Sequence, residues 1–578
     1  MLLLAADSFL LFFITYFTGM ACISLLKKIT GNDFIAGFFD TFLAGLMTCF
    51  TWFNLVSFFA PVNYIALLPL LVIAIIVFAK RATRESFFRQ LAGGYRLLLA
   101  GPQALFTLPL LLLFFVHWIV PPANPDSSGY HFVSILWYEK YKVVPGLANL
   151  HGRLAFNPAN FIISAAWSFT SLAGQALYPL NGVLALLFYA WLVKKIRTTP
   201  SPAAIGLMLC GILLFRNTLV NISSPSADML STLLLFYSAF GVYENIREGK
   251  NKAADFILPA FFFAFSITAK LFSLPLVTVF IYLFIFFVRD KSKYIILMRA
   301  VPLLLLLLIP WIIRNFIMSG YLAYPILHSN LFKADWAVPA SIVNVEHTIS
   351  QYGPRAHHNN TIADQVKEPF SHWFLPWLRF GFQQNIYFAV IYTTALLSPL
   401  LWWAKPNRRY IPGPLFVFWV LNYINVWLWL WASPEPRFGL AFLTISIGLP
   451  LLTLLETAVV PVKRMQLPAL FFTWAVCAWY GIAISRKPST YHFTLADCWL
   501  KPLRSDRYYK WNDKKTFPYQ VLSNGVRLYI SDDTHDFLNA DFPARMDHYL
   551  QVEMRGPSIK NGFRAIRDDT KQYVPYVE

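Results

Sequence analysis

Charged residues are scarce in this 578-residue sequence, in which Asp, Glu, Lys and Arg make up 13% and hydrophobic residues 57%. Soluble globular domains carry about 25% charged residues, so this composition excludes an ordinary soluble protein. Apolar runs long enough to cross a hydrocarbon core of about 30 Å recur along the chain up to residue 485. The sequence therefore predicts an all-α polytopic membrane protein.

Cysteine is rare as well, and none of the five cysteines lies in a CxxC or another metal-ligand spacing. Only Cys498 lies outside a predicted span, so the region after residue 485 has no second thiol for an internal disulfide. No Gly-rich phosphate-binding loop occurs in the chain. The net charge of +19 does not require a nucleic-acid partner, because membrane proteins concentrate Lys and Arg in their cytoplasmic loops.

Hydropathy predicts about 13–14 transmembrane helices. The first span has no basic n-region and no small-residue cleavage site, so we expect a retained helix and not a signal peptide. Several spans are short, which is typical of tilted or broken helices. The segments that fit are 2–26, 34–58, 63–79, 97–120, 176–193, 203–219, 229–243, 254–270, 275–288, 294–313, 384–403, 411–431, 438–459 and 467–485.

Basic residues fall on alternate connections between the predicted spans, which sets the orientation of the chain. Those connections should be cytoplasmic. The opposite, periplasmic face then carries the long loops 121–175 and 314–383 and the tail 486–578, while residues 1–485 form the transmembrane domain. The basic connections contain Lys27-Lys28, Lys80 to Arg89, Lys194 to Arg197, Arg247 to Lys252, Arg289 to Lys293, Arg408-Arg409 and Lys463-Arg464.

The tail 486–578 is a different kind of sequence, polar and rich in Asp, Lys, Arg and Tyr. Within it, Asn524-Gly525 lies between residues with β propensity, from Val521 to Ile530. This pattern is typical of a β-hairpin turn. We therefore expect the tail to form a small extramembrane α+β domain.

The first long loop contains a candidate catalytic carboxylate, Asp126, shortly after a helix leaves the membrane. At the lipid–water boundary a reduced dielectric raises the pKa of a carboxyl group and favours its use as a general base. The alternative is that Asp126 only caps the helix that begins near Ser127. Farther along, Val133, Trp137 and Tyr141 stand at helical spacing and predict a helix on the membrane surface.

Three cations at the same end of their predicted spans indicate an anion site. Lys270 lies within a span, where a charge marks function by default; snorkelling of its side chain to the interface is the alternative. Arg314 ends another span, and Arg437 lies in a short turn. Arginine binds phosphate bidentately, so these residues suit a phosphate or pyrophosphate. A structural pair between Glu435 and Arg437 is the alternative for that turn.

Second carboxylates and metal ligands are less clear in the sequence. Asp228 fits a second carboxylate, a metal ligand or a helix cap, and the cap is favoured; Glu435 is another candidate for the second carboxylate. His357-His358 with Asp364 is a weak metal signal, because adjacent histidines do not readily face one tetrahedral ion. No metal site is predicted, a divalent-metal requirement stays open, and no other cofactor is expected.

The many spans, the carboxylate in a long loop and the Arg-containing turns resemble the GT-C superfamily of integral-membrane glycosyltransferases. The run from Arg314-Asn315 through Ser319-Gly320 to Tyr324-Pro325 is similar to an element of its bacterial members. The resemblance covers most of residues 95–485. GT-C enzymes commonly place the catalytic carboxylate after the first span, whereas Asp126 follows the fourth, so three helices are expected before the core module.

A closer resemblance is to an uncharacterised bacterial family of large multi-spanning envelope proteins. It rests on Asp126 to His131, on Pro145 to Arg153, and on Leu550 to Gly556 followed by Gly562-Phe563. This resemblance implies a location in the bacterial inner membrane, with the lipid bilayer as the surroundings of residues 1–485.

The GT-C resemblance implies transfer of a sugar from a polyprenyl-phosphate donor to a glycan, lipid or protein acceptor on the periplasmic face. Such a reaction needs no nucleotide, in agreement with the lack of a Gly-rich loop. Asp126 would be the catalytic residue that activates or orients the acceptor hydroxyl. The residues that would hold the donor phosphate are His131, Arg153, Lys270, Arg314 and Arg437.

Two other functions stay open. A transporter or flippase of a lipid-linked sugar also uses many spans and interior cations, but it predicts internal repeats with broken helices at the midplane, and no convincing repeat occurs. A polymerase or ligase of surface polysaccharide also uses loop arginines and histidines, and its reaction is still a glycosyl transfer.

Overall fold

The computed structural model shows a bundle of α-helices followed by a small region of strands. The residues that the structure describes are 1–31, 33–99, 104–122, 124–198, 202–250, 252–271, 277–355, 368–403, 413–456, 471, 474–476, 478–479, 498–503, 517–522, 524–531, 542–546 and 552–566.

The helices form where the sequence carries long apolar runs, because a helix satisfies its own backbone N–H and C=O groups away from water. The described helices are α1 (Leu2–Thr30), α2 (Phe38–Ser57), α3 (Leu68–Ala79), α4 (Arg81–Leu99), α5 (Ala104–Ile119), α6 (Phe132–Lys140), α7 (Ala159–Trp167), α8 (Thr170–Ala173), α9 (Leu180–Thr198), α10 (Ala203–Asn221), α11 (Ala227–Arg247), α12 (Ala253–Ala269), α13 (Val277–Val288), α14 (Lys291–Ser319), α15 (Ala340–Tyr352), α16 (Phe370–Gln384), α17 (Ile386–Leu396), α18 (Pro399–Trp403), α19 (Gly413–Ala432) and α20 (Pro436–Glu456).

Six of the described helices are long and apolar enough to cross a membrane, or up to seven if the bent pair α3–α4 counts as one span. This number is below the 13–14 predicted. Each predicted span from 2–26 to 438–459 contains a helix, but some of these helices are short; α3 and α13, for example, have 12 residues each. The predicted span 467–485 lies mostly outside the described residues.

The apolar helices are compatible with a multi-pass membrane protein. On α14, only 22% of the most apolar window is buried inside the protein, and Leu305, Leu306 and Ile309 are exposed. Soluble monomers rarely expose contiguous apolar surface of this kind. Such a surface is compatible with contact with lipid.

Small residues allow α1 and α2 to pack closely. A Cβ atom at Gly45 would lie 1.7 Å from the carbonyl oxygen of Thr15, and one at Gly19 would lie 1.9 Å from that of Thr41. Helix backbones approach this closely only where side chains are absent. The crossing of these two helices therefore depends on glycine at both positions.

Amide and hydroxyl side chains tie one end of α9, α10 and α11 to the loop that follows α5. The Asn124 amide donates to the Asn221 side-chain oxygen at 2.8 Å, and the Ser127 and Ser224 hydroxyls lie 2.8 Å apart. The Asn181 amide donates to the Ser224 carbonyl oxygen at 2.7 Å. We call this region the loop end of the bundle; it comprises 124–179, 222–228, 270–271, 320–346 and 433–438.

Short strands form the C-terminal region, and the predicted hairpin is confirmed. Gly525 has a φ of +79°, and its N–H donates to the carbonyl oxygen of Leu522 at 2.8 Å in the turn between β1 and β2. β1 pairs with β2 antiparallel, β2 with β3 parallel, and β4 with β5 antiparallel. The described strands are β1 (Tyr519–Val521), β2 (Arg527–Ser531), β3 (Ala544–Met546), β4 (Val552–Met554) and β5 (Phe563–Ala565).

Helix α6 does not lie on a surface, so that prediction is wrong. The side chains of Val133 and Trp137 are only 5% and 1% exposed. The reason is that α6 packs against α7 and that the Phe542 ring of the tail lies 4.7 Å from the Trp137 ring. The apolar stripe that suggested contact with lipid is covered by protein.

Candidate functional site

Asp126 and Arg437 form the centre of a cluster of charged side chains at the loop end. Asp126 precedes a π-helical turn, Ser127–His131, and Arg437 lies in the first turn of α20. Arg437 Nη1 donates to Asp126 Oδ2 at 2.7 Å, while Arg153 Nη1 lies 3.8 Å from Asp126 Oδ1. Asp126 makes no capping hydrogen bond with its side chain, so the capping alternative is not supported.

Asp228 supplies a second carboxylate to this cluster. Ser226, and not Asp228, is the N-cap of α11: its hydroxyl accepts the Asp228 N–H at 3.2 Å. The prediction that Asp228 is a cap is therefore wrong. Its carboxylate forms an ion pair with Lys270, and its Oδ2 lies 3.9 Å from Arg437 Nη1. Arg437 is thus shared between Asp126 and Asp228.

An aromatic ring and a third carboxylate complete the surroundings of the two cations. Lys270 Nζ lies 3.7 Å and Arg437 Cζ 5.3 Å from the centre of the Phe438 ring, positions that favour cation–π attraction. The Glu435 Oε1 lies 3.5 Å from Arg437 Nε, so the structural pair is present. Lys270 has a protein partner in Asp228, and snorkelling of its side chain stays the alternative interpretation of its place in the span.

Glu346 belongs to the same cluster and was missed from the sequence. It lies on α15 in the second long loop, is 3% exposed, and its Oε2 is 3.5 Å from Arg153 Nε. Arg153 therefore bridges Asp126 and Glu346. A signal was present in the sequence: Ile342, Val343 and Glu346 share one face of a helix, and the two apolar residues are buried.

The surroundings of Asp126 lower its pKa. Burial raises the pKa of this carboxyl, but Arg437, His131 and Arg153 outweigh burial and bring it to about 2. The raised pKa expected at a membrane boundary is therefore wrong, because the loop end supplies cations that the sequence pattern did not place. At neutral pH, Asp126 is an ionised carboxylate.

For two neighbours of Asp126, burial has the larger effect on the pKa and favours the neutral form. Burial lowers the pKa of His131 to about 4 despite the nearby carboxylates, so its imidazole is neutral at pH 7 and becomes a cation only in acid, the range in which Asp126 itself titrates. Its Nδ1 has no hydrogen-bond partner among the described residues. Burial raises the pKa of Glu435, and Arg437 opposes this only in part.

Arg314 does not join the cluster, in contrast to the prediction. It is 1% exposed, and its guanidinium lies 3.9 Å from the centre of the Tyr138 ring. Its Nε and Nη1 have no hydrogen-bond partner among the described residues. The cause is the rotation of α14 about its axis, which turns residue 314 toward α6. The other predicted residues, Asp126, His131, Arg153, Asp228, Lys270, Glu435 and Arg437, lie together.

The side chains of the cluster do not fit a metal ion. Asp126 and Asp228 are each engaged by cations, and no group of three or more His, Cys, Asp or Glu side chains suitable for a metal occurs in the described ranges. His357, His358 and Asp364 lie outside those ranges. We therefore derive no step through a metal.

Comparison with known proteins places the chain by family. The family model described as a domain of unknown function, DUF8201, matches residues 1–444, more than half of the chain. No curated protein matches the chain, and no solved structure does.

Proposed function

The chain belongs to the DUF8201 family, and we propose that it transfers a sugar from a polyprenyl-phosphate donor to an acceptor in the bacterial cell envelope. The acceptor is a glycan, a lipid or a protein, and the site faces the periplasm. The observation that carries the proposal is the sharing of Arg437 by two carboxylates, Asp126 and Asp228, with Lys270 beside them.

This arrangement has the groups that glycosyl transfer from a phosphate needs. The leaving lipid phosphate gathers negative charge in the transition state, and fixed cations stabilise such charge. Arg437 and Lys270 are both held over Phe438, so their positions are set before a ligand arrives. A carboxylate next to these cations can receive the proton of the acceptor hydroxyl.

The cations are already neutralised, which determines how a phosphate binds. Arg437 pairs with Asp126 and Asp228, and Lys270 pairs with Asp228. A donor phosphate must therefore replace these carboxylates as the partner of the cations. A carboxyl group that loses its cationic neighbour while buried has a higher pKa. Donor binding thus converts Asp126 from a weak base with a pKa of about 2 into a stronger one.

The proposed reaction is a displacement at the anomeric carbon. The acceptor oxygen forms a bond to this carbon as the bond between the carbon and the phosphate oxygen breaks. The lipid phosphate leaves with the electron pair, stabilised by Arg437 and Lys270. Asp126 takes the proton of the acceptor hydroxyl, and the neutral His131 ring beside it can hydrogen-bond either substrate.

A cavity in the bundle has a size and a lining that suit the hydrocarbon part of a lipid donor. Its volume is about 1830 Å³, and it lies between α1, α9 and α11. Its lining includes Val183, two residues after Asn181 of the amide network, but none of Asp126, Asp228, Lys270 and Arg437. Most of its lining residues are apolar, which suits a hydrocarbon chain.

Sugar transfer in membranes tests the proposal directly. Membranes that contain wild type, Asp126→Asn or Glu85→Gln receive a panel of polyprenyl-phosphate donors with radiolabelled sugars. Glu85 on α4 is the matched control, because its side chain is 54% exposed and it lies outside both the cluster and the lining of the cavity. We expect transfer by wild type and Glu85→Gln, and a loss of about 100-fold in Asp126→Asn at equal insertion.

Two results would contradict this account. Transfer that survives in Asp126→Asn would remove Asp126 from the reaction. No transfer by wild type from any donor in the panel would count against a polyprenyl-phosphate transferase.

The cavity also favours a second candidate function, movement of a lipid-linked sugar across the membrane. Along α9 it extends from Val183 to Thr198, a distance of about 22 Å along the helix axis at 1.5 Å per residue. A cavity of this length suits a lipid headgroup that moves from one side of the membrane toward the other. Lipid translocation without sugar transfer, measured in proteoliposomes, would favour this function over the first.

A further inference from the structure

The last strand of the tail, β5, docks on the first long loop. The Phe563 N–H donates to the Pro145 carbonyl oxygen at 2.9 Å. The buried Asn149 amide donates to the carbonyl oxygens of Gly146 at 3.0 Å, Trp336 at 3.0 Å and Phe563 at 3.4 Å. One side chain therefore joins the first loop, the second loop and the tail.

Two glycines permit this docking. Gly146 and Gly562 have φ values of +66° and +92°, a region that favours glycine. A Cβ atom at Gly146 would lie 2.0 Å from the Phe563 carbonyl oxygen, and one at Gly562 would lie 2.2 Å from the Pro145 carbonyl oxygen. Gly146 of the loop thus lies against the tail, and Gly562 of the tail lies against the loop.

Arg555 fastens the tail to the second loop. Its Nε and Nη2 donate to the two carboxylate oxygens of Asp335 at 2.8 and 2.9 Å, a bidentate pair with defined geometry. Its guanidinium lies 4.4 Å from the centre of the Trp336 ring. The hairpin of β4 and β5 therefore holds both long loops at once.

Each of these loops carries one half of an ion pair in the charged cluster. Asn149 is followed by the turn that contains Arg153, and Trp336 precedes α15, which contains Glu346. The loops meet at Gly152, where a Cβ atom would lie 2.8 Å from Glu346 Oε1.

We propose that the C-terminal hairpin is a clamp that sets the position of Arg153 relative to Glu346 and, through Arg153, relative to Asp126. Gly562 and Arg555 are then positioning residues of the site, although neither touches it. The clamp acts on the shape of the loop end and operates whatever reaction the site performs.

The test uses the full-length protein in lipid nanodiscs and the variant Gly562→Ala. The added methyl group should separate β5 from Pro145, and the pair between Arg153 and Glu346 should loosen. Labelling of Arg153 by phenylglyoxal, measured per residue by mass spectrometry, should rise about tenfold. Labelling of Arg437, which Asp126 and Asp228 hold directly, should change less than about twofold.

Gly525→Ala is the matched control. Gly525 lies in the same tail with a φ of +79°, but a Cβ atom there meets nothing within 4 Å. We expect wild-type labelling of Arg153 in this variant. A general loss of tail stability would affect both glycine variants and would not single out Arg153.

Hydrogen exchange of residues 552–566 reports whether the strand has been released. Released strands with unchanged labelling of Arg153 would overturn the clamp. If neither Gly562→Ala nor the double variant with Arg555→Ala releases the strand, the named contacts do not hold the tail, and the proposal also fails.

These measurements need no substrate, so the clamp and the proposed function fail separately. A protein without sugar transfer in which Gly562→Ala exposes Arg153 would overturn the function and leave the clamp. Where transfer occurs, Gly562→Ala should lower kcat/KM at least about tenfold, and Gly525→Ala should leave it near the wild-type value.

Discussion

Among single residues, Asp126 shows how charged neighbours overrule burial. Burial raises the pKa of its carboxyl, yet Arg437, His131 and Arg153 hold it at about 2, below the value of about 3.9 for Asp in an unfolded chain. The ionised carboxylate therefore stabilises the fold fully above pH 4. The contribution, roughly 2 kcal/mol, is lost as the pH falls from about 4 toward 2.

This pH dependence can be measured by thermal unfolding. At pH 7, Asp126→Asn should melt at a lower temperature than wild type, because Arg437 loses its carboxylate partner. The difference should shrink as the pH falls from about 4 toward 2, since wild type then loses the same interaction. Glu85→Gln, which changes an exposed carboxyl, should show no comparable trend. A difference that widens in acid would contradict the lowered pKa.

Arg314 shows that the position of a residue along a predicted span does not suffice to assign it to a site. Its place at the end of a hydrophobic span resembles that of Lys270, and both suggested a phosphate site. Hydropathy gives the level of a residue along the bundle but not the rotation of the helix about its axis. That rotation turns Arg314 onto Tyr138 and leaves Lys270 beside Asp228.

Helices and turns agree with the sequence-based prediction where interactions between neighbouring residues determine the structure. The β1–β2 turn at Gly525 and the helices within the predicted spans are examples. α6 is the counterexample, because an apolar helix face of this kind can contact lipid or pack against protein. Its packing against α7 and the contact of Trp137 with Phe542, hundreds of residues later in the chain, decide the outcome.

The α1–α2 crossing offers a test at the level of these elements. Gly45→Ala would bring a methyl group within 1.7 Å of the Thr15 carbonyl oxygen, so the helices must separate. We expect a loss of about 1–3 kcal/mol, seen as a lower unfolding temperature. Gly93→Ala on α4 meets no atom within 4 Å and should be neutral or stabilising, because alanine favours a helix. Equal melting of the two variants would contradict the close packing.

For the whole molecule, the sequence predicts which residues share an end of the bundle but not which of them pair. Alternating basic connections place Asp126, Asp228, Lys270 and Arg437 at one end. The pairing of Asp126 with Arg437 spans 311 positions, and no local pattern encodes it. The contacts of β5 with Pro145 and Asn149 are equally remote, although both segments stood out in the sequence as motifs.

The central claim is that a lipid phosphate takes the place of carboxylates on Arg437 and Lys270. Binding of a polyprenyl phosphate to the protein in nanodiscs tests this most directly. Asp228→Asn removes a competing charge and should tighten binding about tenfold, whereas Lys270→Gln removes a cation and should weaken it about tenfold. Glu85→Gln, outside the cluster and the cavity lining, should bind as wild type does. Weaker binding by Asp228→Asn, or unchanged binding by Lys270→Gln, would contradict the account.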